Sequence, residues 1–202
     1  MELMQVTCVG TSPLLMHNAR LANPFDPFTI AVKEVTSKRK KTEEDASVIY
    51  WNEWCGGLYT DKKFLPSEAE KVMVKPIIPA ANILSFLNDG ARHFKRGQDV
   101  WRGVTICSLY APLDNTGWSE KKTLKQIYDS GTFSDIRSVV IGAARTMRSR
   151  PIFENWSFTF DLQFDPELLN RSDLISFVDR ACRYNGICDG KPLFGRCRPE
   201  IK

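Results

Sequence analysis

The sequence predicts an α+β fold whose elements run β-α-β-β-α-β, with a long helical insertion after the first strand. Three observations carry this. Residues 156–164, WSFTFDLQF, alternate without exception. Trp156, Phe158, Phe160, Leu162 and Phe164 take one face and Ser157, Thr159, Asp161 and Gln163 the other, which is the two-residue period of a strand with one buried side. Two stretches, near 79–96 and 172–186, repeat apolar residues at helical spacing. Around them lie short runs rich in β-formers, broken by glycine and proline.

In chain order, residues 3–9 (LMQVTCV) read as a strand that Thr11-Ser12-Pro13 breaks. The stretch NPFDPF, 23–28, holds two prolines in five residues and reads as an extended or turning loop. Thr42 with Asp45 three residues on resembles a capping box, acids fill the first turn, and Gly56-Gly57 can end that helix. Val48, Trp51 and Cys55, with Tyr50 and Trp54 beside them, would give it a bulky apolar face. Pro79 suits the first turn of the next helix, along which Ile83, Leu84, Leu87, Ala91 and Phe94 repeat. Arg92, Lys95 and Arg96 complement its C-terminal dipole before Gly97. Residues 104–110 follow as a strand. Residues 112–150 are irregular, with SVVI suggesting a strand or hairpin arm. After 156–164, Ser172 can cap a helix whose buried stripe is Leu174, Ile175, Phe177, Val178, Ala181 and Cys182, and Gly186 supplies its stop. LFGRCRPEI gives a last strand ending near Pro199.

Stripped of insertions, this is the split β-α-β unit of ferredoxin-like (RRM-like) folds, with a four-stranded antiparallel sheet and both helices on one face. Residues 1–202 read as a single domain with an insertion at 17–75 and an irregular or hairpin segment at 112–150.

At 202 residues, 43% hydrophobic and 26% charged, the chain can build a sizeable core and is not of disordered composition. It has no apolar run of the roughly 18 residues a membrane helix needs, and MELMQVTCVG does not look like a secretory signal, so a cytoplasmic protein without membrane contact is expected. The six cysteines show no paired C-x-x-C spacing. Free thiols are expected, with Cys8, Cys107 and Cys182 as small buried hydrophobes. No metal or cofactor is expected, and there is no P-loop, dinucleotide fingerprint or nucleophile motif.

The net charge of +4 is mild, but its distribution is uneven. Arg137, Arg145, Arg148 and Arg150 lie in a stretch without an acid. From 183 to 202, five cations face Asp189 and Glu200. Such clusters suit a polyanion, because neutralising phosphates supplies most non-specific affinity; a charge run is also commonly a solvated face. Trp51, Trp54, Trp101 and Trp118 fall outside the two best core elements. They can stack on bases or anchor the insertion.

Three stretches together resemble the RAMP superfamily, the RNA-binding backbone subunits of CRISPR effector complexes. VTCVGTSPLLMH is similar to that family's opening strand and turn, IIPAANILSFLNDGARH to the start of its first helix, and GICDGKPLFGRCRPEI to its glycine-rich loop before the final strand. The match runs end to end in order. The chain departs from the pattern at Ala80-Ala81, where glycine is usual, and at Lys191-Pro192-Leu193, where small residues are commoner. The resemblance extends to stand-alone relatives with other roles, a viral (phage) one among them.

The resemblance implies binding of single-stranded RNA or DNA along a basic surface, by subunits that self-associate into an oligomer or filament or that join another RAMP-type protein. The glycine loop would let backbone amides approach phosphates, making Gly190, Lys191, Gly195, Arg196 and Arg198 candidate contacts beside the four arginines. The glycines equally serve as a helix cap and a turn. Some relatives are endoribonucleases, using a histidine or, in another branch, an acidic residue after the first strand with a divalent metal. His17 and Asp26 occupy comparable positions, although a lone histidine or a turn aspartate is commonly structural. Binding without catalysis is the preferred reading. A protein-interaction module, such as a viral protein occupying a slot in a host RAMP assembly, is the alternative, and an endoribonuclease the second.

Overall fold

The computed structural model describes Met1–Lys202 except the side chains of Ile141 and Ala144. It is α+β, with antiparallel sheets. Strands β1 (Glu2–Gly10) and β2 (Leu14–Leu15) are followed by a 3-10 turn at Ala19–Ala22 and by helices α1 (Pro27–Thr36) and α2 (Glu43–Gly57). Then come β3 (Ile77–Pro79), α3 (Ala80–Arg92), α4 (Gly97–Gly103), β4 (Val104–Ile106), β5 (Tyr110–Pro112) and β6 (Asp114–Asn115). Helix α5 (Leu124–Asp129), strands β7 (Ser134–Ile141), β8 (Ala144–Phe153) and β9 (Trp156–Phe164), helix α6 (Arg171–Arg180), a π-helical turn at Ala181–Asn185 and β10 (Cys197–Ile201) complete the chain. Among the described residues no helix is long and apolar enough to cross a membrane.

The chain forms two compact units. The first is Met1–Leu15, Pro76–Thr116 and Phe153–Lys202; the second is Met16–Lys75 and Gly117–Ile152.

In the first unit the main sheet has the order β10-β1-β9-β4, with β6 also on β9. The alternation of 156–164 places all five apolar side chains of β9 in the core beside Met4, Val6 and Cys8 of β1. The other face is polar: Gln5 donates to Asp161 at 2.9 Å, and Thr7 lies 2.9 Å from Thr159. Helices α3 and α6 bring Ile83, Phe86, Leu87, Leu174, Phe177 and Val178 into that core. At Gly90 the helices meet so closely that a Cβ would stand 2.2 Å from the Phe177 carbonyl oxygen.

Several local expectations are corrected. Residues 104–110 are not one strand. β4 pairs with β9, the chain turns, and β5 pairs with β3 instead, leaving Cys107 exposed rather than buried. Asn170, not Ser172, caps α6, accepting from Asp173 N at 2.8 Å, because it stands one residue before the helical backbone begins. Phe94 lies beyond the end of α3 and is exposed.

In the second unit, α1 starts where Asp26 accepts Phe28 N at 3.0 Å and Pro27 sets the first helical φ. The Thr42–Asp45 capping box of α2 forms in both directions, with Glu43, Glu44 and Asp45 against the helix N-terminus. Asp45 also pairs with Lys38, which together with the Thr42 amide draws its carboxyl below the ordinary range. A second box, Thr123–Gln126, starts the short α5 within the stretch read as irregular. Trp54 is fully buried and donates to the Phe133 carbonyl at 2.7 Å; Trp51 and Trp118 stack beside it, and Trp118 donates to the Val74 carbonyl at 2.9 Å. These tryptophans build the unit's core. Val48, expected on the apolar face of α2, is exposed, and Ile49 is buried in its place.

Candidate functional site

Strands β7 and β8 form a hairpin around Gly142, whose φ of 61° suits the tight turn. Its register sets Arg137 opposite Arg148 and Asp135 opposite Arg150. Directly opposed residues share a face, so Arg137, Arg148 and Arg150 stand together, while Arg145, opposite Val140, lies on the other side. Two like charges face to face are unfavourable unless each finds a counter-charge. Asp135 supplies one, its Oδ1 2.6 Å from Arg137 Nη2, and this hydrogen bond raises the guanidinium's pKa further. Glu53 of α2 supplies the other. It is buried, pairs with Arg148, and accepts the Ser149 backbone N–H at 2.9 Å.

This arrangement borders a cleft of about 520 Å³ within the second unit. Lys33 from α1, Lys41 from the α1–α2 connection, and Arg148 and Arg150 from β8 line it, and Glu53 is the one carboxylate among its described lining residues. Leu21, Val32 and Ile49 supply apolar wall, and Tyr50 an aromatic ring. Since the Glu53 oxygens are already bonded to Arg148 and Ser149, the cleft presents net positive charge over an apolar base. No protein-family model and no curated protein matches this chain.

The sequence candidates fall into two groups. In the second unit, His17 is exposed and lines the same cleft, its carbonyl accepting from Tyr59 Oη at 3.4 Å. Arg148 and Arg150 join it there, and Arg145 is exposed. Asp26 has a structural duty: besides capping α1 it pairs with Arg20 at 2.9 Å.

In the first unit, Gly190 and Gly195 have φ of 68° and 73°. The amides around them are engaged within the protein: Gly195 N donates to the Pro13 carbonyl at 2.8 Å, Arg196 N to Ser12 Oγ at 2.9 Å, Ile187 N to the Gly195 carbonyl at 2.9 Å. Lys191 pairs with Asp89 at 2.8 Å and Arg198 with Glu200 at 3.4 Å, while the Arg196 side chain is exposed.

Two features of the first unit escaped sequence reasoning. Trp101, 52% exposed, stands with Arg92 and Lys95 around a shallow depression. The sequence places Trp101 among residues able to stack on bases, but its approach to Arg92 and Lys95 follows from the packing of α4 on α3. The other is a group of three buried cysteines, Cys8, Cys182 and Cys197, drawn from two strands and the π-helical turn. Hydrogen bonds with Cys182 and Cys197, together with burial, push the Cys8 thiol well up. Hydrogen bonds from the S–H groups of Cys182 and Cys8 draw the Cys197 thiol down, against the effect of burial.

Proposed function

We propose that this protein binds single-stranded nucleic acid through the cleft of its second unit and the adjoining basic face of the hairpin. The observation that carries this reading is the lining itself: Lys33, Lys41, Arg148 and Arg150 against one carboxylate that is already bonded. Cations so placed neutralise phosphates and release their counterions. Tyr50 and the apolar wall offer an unpaired base a stacking surface of the kind that single-strand binders use. At about 520 Å³ the cleft falls in the range of small-molecule sites, roughly 300–1,000 Å³. That is room for a nucleotide of an open strand, whereas the bases of a duplex are turned inward and stacked.

The strand order supports a ferredoxin-like core and, with it, the RAMP resemblance. Counting only β1, β4, β9 and β10 as its strands, the sheet runs fourth, first, third, second, with α3 and α6 as the two crossover helices. The exposed Arg196 of the first unit, with Lys191 and Arg198 nearby in sequence, would offer phosphates a contact of its own, and copies of the chain would associate along the strand. The reading requires no catalysis, and Asp26 is engaged as a cap.

Fluorescence anisotropy with labelled single-stranded RNA, single-stranded DNA and duplex, across a salt series, tests it. The single strands bind and weaken steeply with salt, with a log–log slope of about −0.7 per phosphate contacted. A Lys33→Ala/Lys41→Ala/Arg150→Ala variant flattens that slope. Absence of any shift at low salt overturns the reading, and cleaved RNA would mark the endoribonuclease instead.

One observation favours a protein-interaction module as second reading. On the hairpin face away from Arg148, Ile136 and Val140 are exposed at 44% and 66%, and Met147, which also borders the cleft, at 45%. A row of apolar side chains there suits contact with a second copy or with another RAMP-type protein. A protein complex that survives high salt and nuclease is its signature.

A further inference from the structure

We propose that Cys8, Cys182 and Cys197 form a three-sulfur site for a single thiophilic cation, Cu(I). The three Sγ atoms lie within 4.8 Å of one another, and Cys8 Sγ is 3.9 Å from Cys182 Sγ. A metal bonded to sulfur at about 2.3 Å in a trigonal plane sets its sulfurs about 4.0 Å apart, so the trio is spaced for one central ion.

The donors come from separate parts of the fold. Cys8 is on β1, Cys197 opens β10, and Cys182 is in the π-helical turn that follows α6. The wide π turn is a rare conformation that recurs at functional sites, and here it carries the cysteine that joins the two strands' sulfurs. Relative exposures of 0%, 0% and 1% make the pocket dry.

The donor set selects the ion. Three thiol sulfurs are soft ligands, preferred by Cu(I), Zn(II) and iron–sulfur clusters. Zn(II) in a closed site takes four ligands in a tetrahedron, and among the described residues the group contains no fourth cysteine, histidine, aspartate or glutamate. Cu(I) accepts three sulfurs in a plane. Each sulfur that binds as thiolate releases one proton, so uptake is coupled to proton loss without change of oxidation state.

The test uses the full chain, reduced and handled without oxygen, titrated with Cu(I) in competition with a Cu(I) chelator and separately with Zn(II). One equivalent of Cu(I) binds, with near-ultraviolet thiolate-to-metal absorption, a higher Tm, and three sulfurs near 2.3 Å by X-ray absorption. Cys8→Ser, Cys182→Ser and Cys197→Ser each weaken binding at least about a hundredfold, whereas Cys107→Ser, at an exposed thiol, leaves it unchanged. Far-ultraviolet circular dichroism identifies any variant that fails to fold; the wild-type stoichiometry and sulfur count then stand as the decision. No uptake against the chelator, two sulfurs in place of three, binding that persists in the three variants, or preference for Zn(II) overturns the proposal.

Discussion

Glu53 of α2 and Arg148 of β8 form the ion pair that lets two arginines face each other across the hairpin. The Glu53 side chain is 5% exposed and that of Arg148 35%, so the pair joins a buried acid to a half-buried base. The buried acid also holds the Ser149 amide. Without it, Arg148 and Ser149 N–H lose their acceptor together and the basic face repels itself.

Replacing Glu53 by Ala is therefore expected to destabilise the protein by about 2–4 kcal/mol. Urea denaturation followed by circular dichroism checks this. Glu53→Gln, which keeps an acceptor for Ser149, costs less than Glu53→Ala; equal losses would show that the amide contact contributes nothing.

Lys33 and Lys41 line the cleft without belonging to its core. Alanine at either position leaves stability within about 0.5 kcal/mol and lowers the salt slope of single-strand binding by about 0.7. Tyr50→Ala weakens binding by about 1–3 kcal/mol, and Tyr50→Phe retains most of it. Arg145→Ala, on the other face of the hairpin, leaves the slope unchanged if the strand lies in the cleft. A large effect at Arg145 and none at Lys33 would move the interface to the opposite face.

Gly90 is set by contact rather than by φ. Its missing Cβ leaves room for the backbone of α6, 2.2 Å from where that atom would stand. Because the obstacle is backbone, the helices must separate to admit a methyl group. Gly90→Ala is expected to cost about 2–3 kcal/mol despite alanine's better helix propensity. A thermal or urea midpoint equal to wild type would rule out this packing.

Cys55 is fully buried, and burial pushes its thiol well above the ordinary value. Unfolded, the thiol ionises above about pH 8.5, while the folded state keeps its proton. The native state then binds more protons, so this group's contribution is complete below pH ~8.5 and declines as pH rises, by up to ~1.4 kcal/mol per pH unit. Urea midpoints between pH 7 and 10 should fall more steeply for wild type than for Cys55→Ala. Parallel curves would assign the alkaline loss to other groups.

What could be read directly from the chain is local. The strand 156–164 and the Thr42–Asp45 box lie within one element each, and their signals come from period and from side chains three residues apart. The second box at Thr123 is of the same kind, but the polar, turn-rich residues around it hid a helix of six residues. The break after Ile106 carried no mark of its own. Its β-formers suit either strand, and only pairing with Ile77–Pro79 decides where the chain turns.

The sequence by itself determined the α+β class, the main sheet's apolar face and the helices that bury it, because each depends on periodicity along a few neighbouring residues. Tertiary structure alone decided which charges remain available and which sulfurs meet. Glu53 meets Arg148 across 95 positions, and Cys8 meets Cys182 across 174. Such encounters follow from strand register and helix packing, where a shift of one residue would turn each side chain to the opposite face. Lys191, Arg137 and Arg148 look alike in a charge count; in the fold each is matched to a particular carboxylate.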